Sequence, residues 1–391
     1  MTSPARAAGR RRGAGAALLG AAFWAVEAAL ALPVAAGVLA AVLPPGPFWW
    51  AQLAAVGLPY TGWALAAWTP VVALGRRRRL ALGHLLLLGV VAWRAAPTAP
   101  APAPVDVLGG DDVLRLVTFN VPQQGPSREA LSDSMVAFVR RARPHLLALQ
   151  DAWIFEPSPT HRMERSDHIA AVERALPYGA RLPARLAEAP GWRRPGTGVP
   201  LLVHDSLQVT RRQALDIGQA GGDVTSLAVR AEVAWRGRRF ALYNVHLRSF
   251  GENKPWHNDS LRRGTLRARL RSAVPYARRY RRVYAQRGAE ADALARIVAA
   301  DSLPAVVVGD LNSTGDNWSA RRLRTAGAPR LDAQRARGDG WGRTYPAHRP
   351  LVRIDVVYAD PAFEVLAAET APVGFSDHRP VRAWLRWRDG G

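Results

Sequence analysis

The sequence predicts an α/β sandwich domain that follows an all-α, apolar segment. Two observations predict this organisation. Glu27 is the single charged residue between Arg12 and Arg76, whereas charges are frequent from Val105 onwards. The second part also has many short apolar runs separated by helical periodicity, which is typical of strands that alternate with helices. At 391 residues the chain is long enough for two or three domains.

The composition is strongly basic and lacks cysteine. Lysine and arginine total 53 against 31 acidic residues, which gives a net charge of +22, and Lys254 is the single lysine. This charge is compatible with an anionic partner or surface. A GC-rich coding sequence would explain the arginines equally well, and both explanations stay open here. The absence of cysteine excludes a disulfide scaffold, a thiolate metal site and a cysteine nucleophile.

Residues 1–94 are predicted to form a membrane anchor of about three helices. Apolar runs cover residues 14–43, 48–75 and 80–96, and about 20 apolar residues cross a bilayer. The arginine clusters at 10–12 and 76–79 predict that both segments are cytoplasmic. Three spans would then place the rest of the chain outside the cytoplasmic membrane. The first run exceeds the roughly 7–15 residues of a signal-peptide core, so a retained anchor is favoured over cleavage.

The rest of the chain is predicted to be a linker and one large domain, covering residues 95–104 and 105–391. The linker alternates Ala and Pro, which favours an extended polyproline II conformation. In the domain we expect strands at 113–120, 146–150, 198–203, 226–235, 239–246, 305–309, 354–358, 364–368 and 381–387. We expect helices at 128–143, 167–176 and 261–300, the last interrupted by Pro275 and Gly288.

Residues with reactive side chains follow the predicted strands at the point where each strand ends. They comprise four carboxylates, two histidines and two amides: Asp151, Asp310, Asp355, Asp377, His246, His378, Asn120 and Asn312. Strand ends are where α/β folds place their sites. Carboxylates bind hard divalent cations and activate water, and histidines neutralise charge on phosphoryl oxygens. This combination predicts hydrolysis of a phosphate ester.

The order and spacing of these motifs resemble a known superfamily. The motifs are Val-Thr-Phe-Asn120, Leu-Ala-Leu-Gln-Asp151, Asn-Val-His246-Leu, Val-Val-Gly-Asp310-Leu-Asn312, Arg-Ile-Asp355 and Ser-Asp377-His378-Arg-Pro. Over about residues 113–387 the sequence resembles the endonuclease/exonuclease/phosphatase superfamily, which has the DNase I-like fold. The resemblance implies two packed β-sheets flanked by helices, a Mg²⁺ or Mn²⁺ ion, and in-line attack of water on a phosphodiester or phosphomonoester.

The resemblance implies a metal site formed by three residues. Asp151 would be the metal-binding acid, Asn120 would help to place it, and Asp377 would contribute to the metal environment. The family usually has Glu at the position of Asp151 and Thr at that of Val245. An Asp side chain is shorter by about 1.5 Å, the length of one bond. A water between the carboxylate and the ion, or a shift of the ligands, would have to make up for this shorter reach. The nearby Glu156 is one candidate for an additional ligand.

The resemblance also implies catalytic roles for five residues. His246 would donate to the phosphoryl oxygens in the transition state, and His378 would contact phosphate or move a proton. Asp310 would orient or deprotonate the attacking water, and Asn312 would hold a phosphate oxygen. Asp355 would fix the tautomer and direction of a catalytic histidine. Histidine suits proton transfer because its ordinary pKa is near 6.5.

A segment from Arg262 to Arg287 contains ten arginines, with Tyr276, Tyr280 and Tyr284 on one helical face. Such a segment suits a basic, aromatic surface for phosphate backbones or lipid headgroups. It also suits a long helix whose tyrosines pack on the sheet while its arginines face water. Buried stripes at this spacing are common, so we favour packing.

The sequence therefore predicts a membrane-anchored, metal-dependent phosphoesterase. Its partners would be a phosphate-ester substrate, such as a nucleic acid or a phospholipid headgroup, and the lipid bilayer that holds the N-terminal helices. Two alternatives stay open. The domain would be cytoplasmic if the third apolar run does not span the membrane, and the fold could serve as a catalytically silent binding module. Neither the substrate nor the oligomeric state is predicted.

Overall fold

The structure of the protein is a computed structural model. It describes residues 4–95, 103, 105–121, 128–157, 164–183, 186, 195–215, 217, 227–251 and 263–388. The chain divides into two compact units. The helical unit comprises Met1–Leu43 and Trp50–Ala96, and the sandwich unit comprises Pro44–Trp49 and Pro97–Gly391. Of the predicted linker, residues 96–102 and 104 lie outside the described residues.

The first four helices follow the apolar runs of the sequence. They are α1 Pro4–Leu39, α2 Trp49–Val56, α3 Leu58–Leu74 and α4 Arg78–Ala95. Val34, Leu58, Leu65 and Val91 form a core where α1, α3 and α4 pack against one another. Many other apolar side chains of this unit are exposed, as expected of helices whose outer faces are as apolar as their inner ones.

A buried polar cluster lies within the helical unit. The Glu27 carboxylate lies 2.7 Å from His84 Nε2 through Oε1 and accepts a hydrogen bond from the Trp68 indole through Oε2 (3.0 Å). His84 Nδ1 lies 3.2 Å from the hydroxyl of Thr69, which donates to the Leu65 carbonyl. Glu27, Thr69 and His84 are all buried. The polar atoms of all four side chains therefore have partners within the unit.

The prediction of about three membrane-spanning helices was wrong. Among the described helices one segment, Ala17–Leu39 of α1, is long and apolar enough to cross a membrane, and helices of this kind also occur in signal sequences. The second run breaks at Gly57 into helices of 8 and 17 residues. The third, α4, has 18 residues but contains Arg78, Arg79 and Arg94, whose guanidinium groups oppose burial in hydrocarbon.

The sandwich unit contains two six-stranded mixed sheets. The strands of the first sheet are β1 Leu114–Asn120, β2 Leu146–Gln150, β5 Tyr178–Ala180, β7 Leu201–His204, β14 Phe363–Thr370 and β15 Val381–Trp387. Those of the second are β8 Gln208–Leu215, β9 Leu227–Trp235, β10 Arg238–His246, β11 Ala305–Asp310, β12 Leu331–Asp332 and β13 Asp355–Ala359. A small third sheet contains β3 Ile154–Phe155, β4 Glu164–Arg165 and β6 Gly196–Thr197. The first sheet has the order β14-β15-β1-β2-β7-β5, the second has β12-β13-β11-β10-β9-β8, and the third has β4-β3-β6.

Helices cover the outer faces of both large sheets. They are α5 Val105–Leu108, α6 Arg128–Ala142, α7 Asp167–Ala175, α8 Leu266–Ala299 and α9 Trp318–Arg324. A further short helix, α10 Ala333–Arg337, packs through Ala333 against the core between the sheets. Successive residues of a strand point to opposite faces, so Leu146 packs between the sheets and Leu147 packs under α6 and α7. On the second sheet Tyr243 and Val307 pack against Leu294 of α8. The predicted DNase I-like arrangement of two sheets flanked by helices is confirmed at this level.

Among the elements that differ from the expectation, a strand and a long helix are the largest. Strand β8 was missed because its residues are mostly exposed and polar, which is typical of an edge strand and gives no apolar signal. Helix α8 is continuous through Pro275 and Gly288, where we expected interruptions. Its N-cap Thr265 accepts a hydrogen bond from the Ala268 N–H (3.3 Å), so the helix begins with one of its free amides satisfied.

Candidate active site

The ends of five strands bring the predicted residues to one edge of the sandwich. Strands β1 and β2 are parallel with Asn120 opposite Gln150, and β10 and β11 are parallel with His246 opposite Asp310. Strand β13 runs antiparallel to β11, so its first residue, Asp355, also lies opposite Asp310. Because parallel strands end at the same sheet edge, side chains that are distant in the sequence converge there.

Unusual backbone conformations shape the turn after β11. Gly309 has a φ of +132°, and a Cβ built on it would lie 1.9 Å from the Val245 carbonyl oxygen. The close approach of β10 to β11 therefore requires glycine immediately before Asp310. Asn312 and Asp151 occupy the left-handed region with φ of +47° and +56°, which Asn and Asp tolerate better than most residues. Local strain of this kind often occurs at functional sites.

The Asp310 carboxylate lies at the centre of the site. Its Oδ1 accepts a hydrogen bond from the Asn312 N–H (2.7 Å), and its Oδ2 accepts one from the Asn120 amide (3.0 Å). His246 Nε2 and His378 Nε2 lie 3.7 and 3.8 Å from the same Oδ2. The side chain is 2 % exposed. Two imidazoles thus face one fixed carboxylate oxygen from two directions.

His378 and Asp355 form a buried pair beside Asp310. His378 Nδ1 lies 2.9 Å from Asp355 Oδ2, and the Tyr345 ring lies 4.8 Å from the imidazole. Burial alone would lower the pKa of His378, but the carboxylates of Asp355 and Asp310 outweigh it and raise the pKa to about 9. Between neutral pH and that value His378 is an imidazolium that donates through Nδ1 to Asp355 and presents Nε2–H towards Asp310.

Buried amides behind these residues join the two large sheets. The Gln150 amide of β2 donates to the Asn244 side-chain oxygen of β10 (2.7 Å). The Asn244 amide in turn donates to the carbonyls of Leu149 (2.9 Å) and Val199 (3.1 Å). The Asn120–Asp310 hydrogen bond makes a second connection between the sheets. Both amides belonged to the sequence motifs, but their role as inter-sheet ties could not be read from the sequence.

The remaining predicted residues lie at or beyond the rim of this cluster. Asp151 is 37 % exposed, with its Oδ1 3.5 Å from His246 Nδ1. The Asn312 amide donates to the Leu247 carbonyl (3.0 Å), which fixes its side chain. Asp377 is exposed, and its backbone carbonyl accepts a hydrogen bond from Ala347. The structure thus brings six of the eight residues into one cluster, with Asp151 at its edge and Asp377 directed to solvent.

The donor set at this edge fits a hard divalent cation. Asn120 Oδ1 and Asp355 Oδ1 are buried and have no hydrogen-bond partner among the described residues. A buried oxygen without a partner is costly, and oxygen atoms are the ligands that Mg²⁺ and Mn²⁺ prefer. Within the described ranges, Asp310, Asp355 and His378 also offer ligand atoms that lie within 4.8 Å of one another.

Sequence reasoning missed Arg287 of α8, which reaches the same region from outside the motifs. Its guanidinium is buried and donates to the carbonyls of Arg248 (2.7 Å) and Asn312. These carbonyls belong to the segments that follow β10 and β11, so Arg287 ties the His246 and Asp310 loops together. A sequence signal existed: Arg287 and Glu290 stand on the helix face that carries the buried Ala291 and Leu294, where a charged residue needs a buried partner.

Comparisons with known proteins bear on the family and the fold of this chain. The model of the Endonuclease/Exonuclease/phosphatase family matches residues 117–378. A conserved protein of unknown function from Enterococcus faecalis V583 shares the fold, with 13 % identity, a TM-score of 0.50, and coverage of 70 % of this chain and 100 % of that one. The chain is also similar to a mannosyl-6-phosphatase of Bacteroides thetaiotaomicron (13 % identity, TM-score 0.47, 70 % and 100 % covered). The human Nocturnin catalytic domain gives 14 % identity, a TM-score of 0.47, and coverage of 71 % and 95 %. No curated protein sequence matches the chain.

Proposed function

Because this chain belongs to the endonuclease/exonuclease/phosphatase family, we propose that its sandwich unit is a divalent-metal-dependent hydrolase of phosphodiester or phosphomonoester bonds. One observation carries this proposal. A buried carboxylate with both oxygens held by hydrogen bonds faces the Nε2 atoms of two histidines at 3.7 and 3.8 Å. This is the arrangement needed to accept a proton from water and to donate to phosphoryl oxygens on the same side of a substrate.

We assign the ion to Asn120, Asp151 and Asp377, as the sequence predicts. The unpartnered Asn120 Oδ1 supports this assignment. A bound Mg²⁺ or Mn²⁺ would withdraw negative charge from the phosphoryl oxygens. Asp310 and His378 are less suited to hold the ion, because hydrogen bonds already engage both Asp310 oxygens and His378 Nδ1.

The side chains of the cluster divide the proton transfers between them. Asp310 Oδ2 orients the attacking water and accepts its proton as the oxygen bonds to phosphorus and the ester P–O bond breaks. His246 and Asn312 bind the phosphoryl oxygens, on which charge accumulates. Asp355 holds the His378 ring through Nδ1, so that the Nε2–H of His378 points into the site. From this position the Nε2–H binds phosphate or donates a proton. Each group acts from a position that the packed sheets have fixed in advance.

We further propose that α1 anchors the chain in a membrane and that the sandwich unit lies outside the cytoplasmic membrane. The apolar segment Ala17–Leu39 supports the anchor. The arginines at 10–12 support a cytoplasmic N-terminal end, whereas a single span leaves those at 76–79 on the outer side. The natural chain has no cysteine, so Ala103→Cys provides a single label. A membrane-impermeant maleimide should label this variant in intact cells. If the maleimide labels this variant only after the cells have been opened, the sandwich unit lies in the cytoplasm.

The hydrolase proposal is tested with the full chain purified in detergent. Substrates are DNA and RNA oligonucleotides, phospholipids and sugar phosphates, each assayed with Mg²⁺, Mn²⁺ or EDTA. We expect metal-dependent hydrolysis of at least one class and a loss of about 100-fold or more in His246→Ala, Asp310→Ala and His378→Ala. His204→Ala is the matched control, because this histidine lies at the end of β7 and contacts Ser206.

Two results would contradict the proposal. Full activity in EDTA would show that hydrolysis needs no divalent ion, and full activity in all three alanine variants would show that the cluster is not catalytic. A folded chain that binds phosphate esters without hydrolysing any of them would establish the silent binding module instead.

A further inference from the structure

The first half of α8 has an apolar face that the sandwich does not cover. Leu266, Leu270 and Val274 are 74, 64 and 55 % exposed, and their four-residue spacing places them along one stripe of the helix. The second half is different, since Leu294, Ala295 and Val298 of the same helix are buried against the second sheet. A helix that packs at one end and exposes a row of large aliphatic side chains at the other marks an interaction surface.

Arginines border this stripe. Arg267, Arg271, Arg278 and Arg282 repeat at intervals of four, seven and four residues, which keeps them on one side of the helix next to the aliphatic row, and all four are exposed. Three further arginines, Arg269, Arg279 and Arg281, lie on the same stretch, and no acidic residue occurs between Arg263 and Arg282. Within this stretch of sequence, no acidic side chain offsets the positive charge.

We propose that residues 266–282 of α8 form an interfacial docking helix for an anionic phospholipid bilayer. An interfacial helix combines an aliphatic face, which enters the boundary between headgroups and acyl chains, with bordering cations that pair with lipid phosphates. Leu266, Leu270 and Val274 provide the first feature, and the arginine row provides the second. The proposal does not depend on the hydrolytic activity of the sandwich unit.

The chemistry of the stripe favours a bilayer over a nucleic acid. Single-stranded nucleic acids are bound by cations together with aromatic side chains on which bases stack. Of the three tyrosines on this helix, Tyr280 and Tyr284 are buried, and Tyr276 is half-buried with its ring centroid 6.1 Å from that of Tyr280. Phe250 also stacks on Tyr280 with ring centroids 4.4 Å apart. The exposed apolar residues are Leu266, Leu270 and Val274, whose side chains have no face for base stacking.

The test places an environment-sensitive fluorophore on the stripe of the full chain. The chain has no cysteine, so Leu270→Cys gives one labelled position, and Ala289→Cys, an exposed position farther along α8, gives the matched control. Each protein is added to vesicles of phosphatidylcholine alone or mixed with phosphatidylglycerol. We expect a blue shift at position 270, and quenching by nitroxide lipids, in the anionic vesicles alone. Position 289 should stay unchanged in both.

Charge variants separate this surface from general electrostatic attraction. One variant carries Arg267, Arg271, Arg278 and Arg282→Gln together. The control removes the same charge elsewhere through Arg140, Arg141, Arg211 and Arg212→Gln, all of them exposed. We expect the stripe variant to need at least ~10-fold more anionic lipid for half of the position-270 response, because each bordering cation contributes to the affinity. The control variant should need less than ~3-fold more.

Three results would overturn the proposal. The first is equal emission at position 270 in neutral and anionic vesicles, since the apolar N-terminal helices bind both and would explain such binding. The second is an equal loss of response in the two arginine variants. The third is a blue shift produced by a single-stranded oligonucleotide and not by anionic vesicles, which would assign the surface to nucleic acid.

Discussion

The helical unit and the sandwich unit each bury a histidine against a carboxylate. In the helical unit Glu27 lies 2.7 Å from His84, and in the sandwich unit Asp355 lies 2.9 Å from His378. The two pairs are equally inaccessible, as all four residues are buried. They differ in what surrounds them, because Trp68 satisfies the second oxygen of Glu27, whereas Oδ1 of Asp355 has no hydrogen-bond partner among the described residues.

This comparison separates two uses of a buried charge. A cluster whose donors and acceptors are all paired fixes how its helices pack, and it offers nothing to a ligand. A cluster that keeps unpaired oxygens in the folded state is stabilised when a cation or substrate supplies the missing partner. Burial and histidine content alone would have ranked the two clusters equally, so hydrogen-bond satisfaction is the property that distinguishes them.

The strongest test removes the charge of each carboxylate without changing its shape. Asp355→Asn should lower the hydrolysis rate by about 100-fold or more, because an amide cannot stabilise the imidazolium form of His378. Glu27→Gln should change the rate by less than about two-fold. Both variants are assayed at saturating Mg²⁺ after circular dichroism has verified folding. A loss of similar size in Glu27→Gln would erase the proposed distinction between the clusters.

Substitutions of Asp151 test whether this partly exposed residue, at the edge of the Asp310 cluster, binds the metal ion. Asp151→Asn should abolish metal-dependent hydrolysis, whereas Asp151→Glu should keep it with a lower metal concentration at half-maximal rate, since the longer side chain reaches farther. Titrations of rate against Mg²⁺ measure both effects. An unaffected Asn variant would show that Asp151 is not a ligand.

The raised pKa of His378 predicts a pH-dependent contribution to folding. The folded protein holds a proton on His378 up to about pH 9, whereas an ordinary histidine releases it near pH 6.5. The stabilisation is therefore complete below about pH 6.5 and is lost as the pH rises to about 9. At roughly 1.4 kcal/mol per pKa unit, the difference in unfolding free energy between the wild type and His378→Gln should shrink by about 3 kcal/mol. Denaturant unfolding in EDTA measures it, and a difference independent of pH would contradict the assignment.

Disruption of the Glu27–His84 cluster of the helical unit should lower stability and leave the hydrolysis rate unchanged. Glu27→Ala leaves the Trp68 indole and His84 without their partner, and each unsatisfied buried group costs about 1–3 kcal/mol. We expect faster hydrogen exchange in α1, α3 and α4, with the strands of the sandwich unit unchanged. Glu27→Gln keeps a hydrogen-bonding side chain and should show a smaller effect. Unchanged exchange in Glu27→Ala would mean that the cluster does not hold the helices together.

The sequence predicted the parts of the molecule that local chemistry determines. Strand β1 and helix α6 were recognisable because their apolar periodicity is local, and Pro144 marks the end of the helix. Most site residues were recognisable because they lie where a strand ends or begins. Asn120, His246 and Asp310 are the last residues of their strands, Asp151 follows β2, and Asp355 begins β13. Asp310 and His378 are far apart in the sequence, so their separation of 3.8 Å depends on strand order and was not predictable from spacing.

Other features escaped because their signals were weak or ambiguous. Arg287 lies in a helix rich in arginines, so its position on the helix face that carries Ala291 and Leu294 was only a weak signal of its burial. The apolar N-terminal runs predicted three spans because the apolar composition shows neither the break at Gly57 nor that α4 begins at Arg78, inside the arginine cluster. Of the tyrosine stripe, packing was the correct interpretation for Tyr280 and Tyr284.

The ties between the sheets have a consequence for molecules that fold incorrectly. The Asn120–Asp310 and Gln150–Asn244 hydrogen bonds join residues of opposite sheets, and both lie directly behind the reacting groups. A copy whose sheets pack with a shifted register loses these bonds, and its carboxylate and imidazoles no longer face one another. Such a copy could persist in a compact form, yet it would be chemically inert. The proposed hydrolysis would therefore begin only after the two sheets of the sandwich have packed correctly.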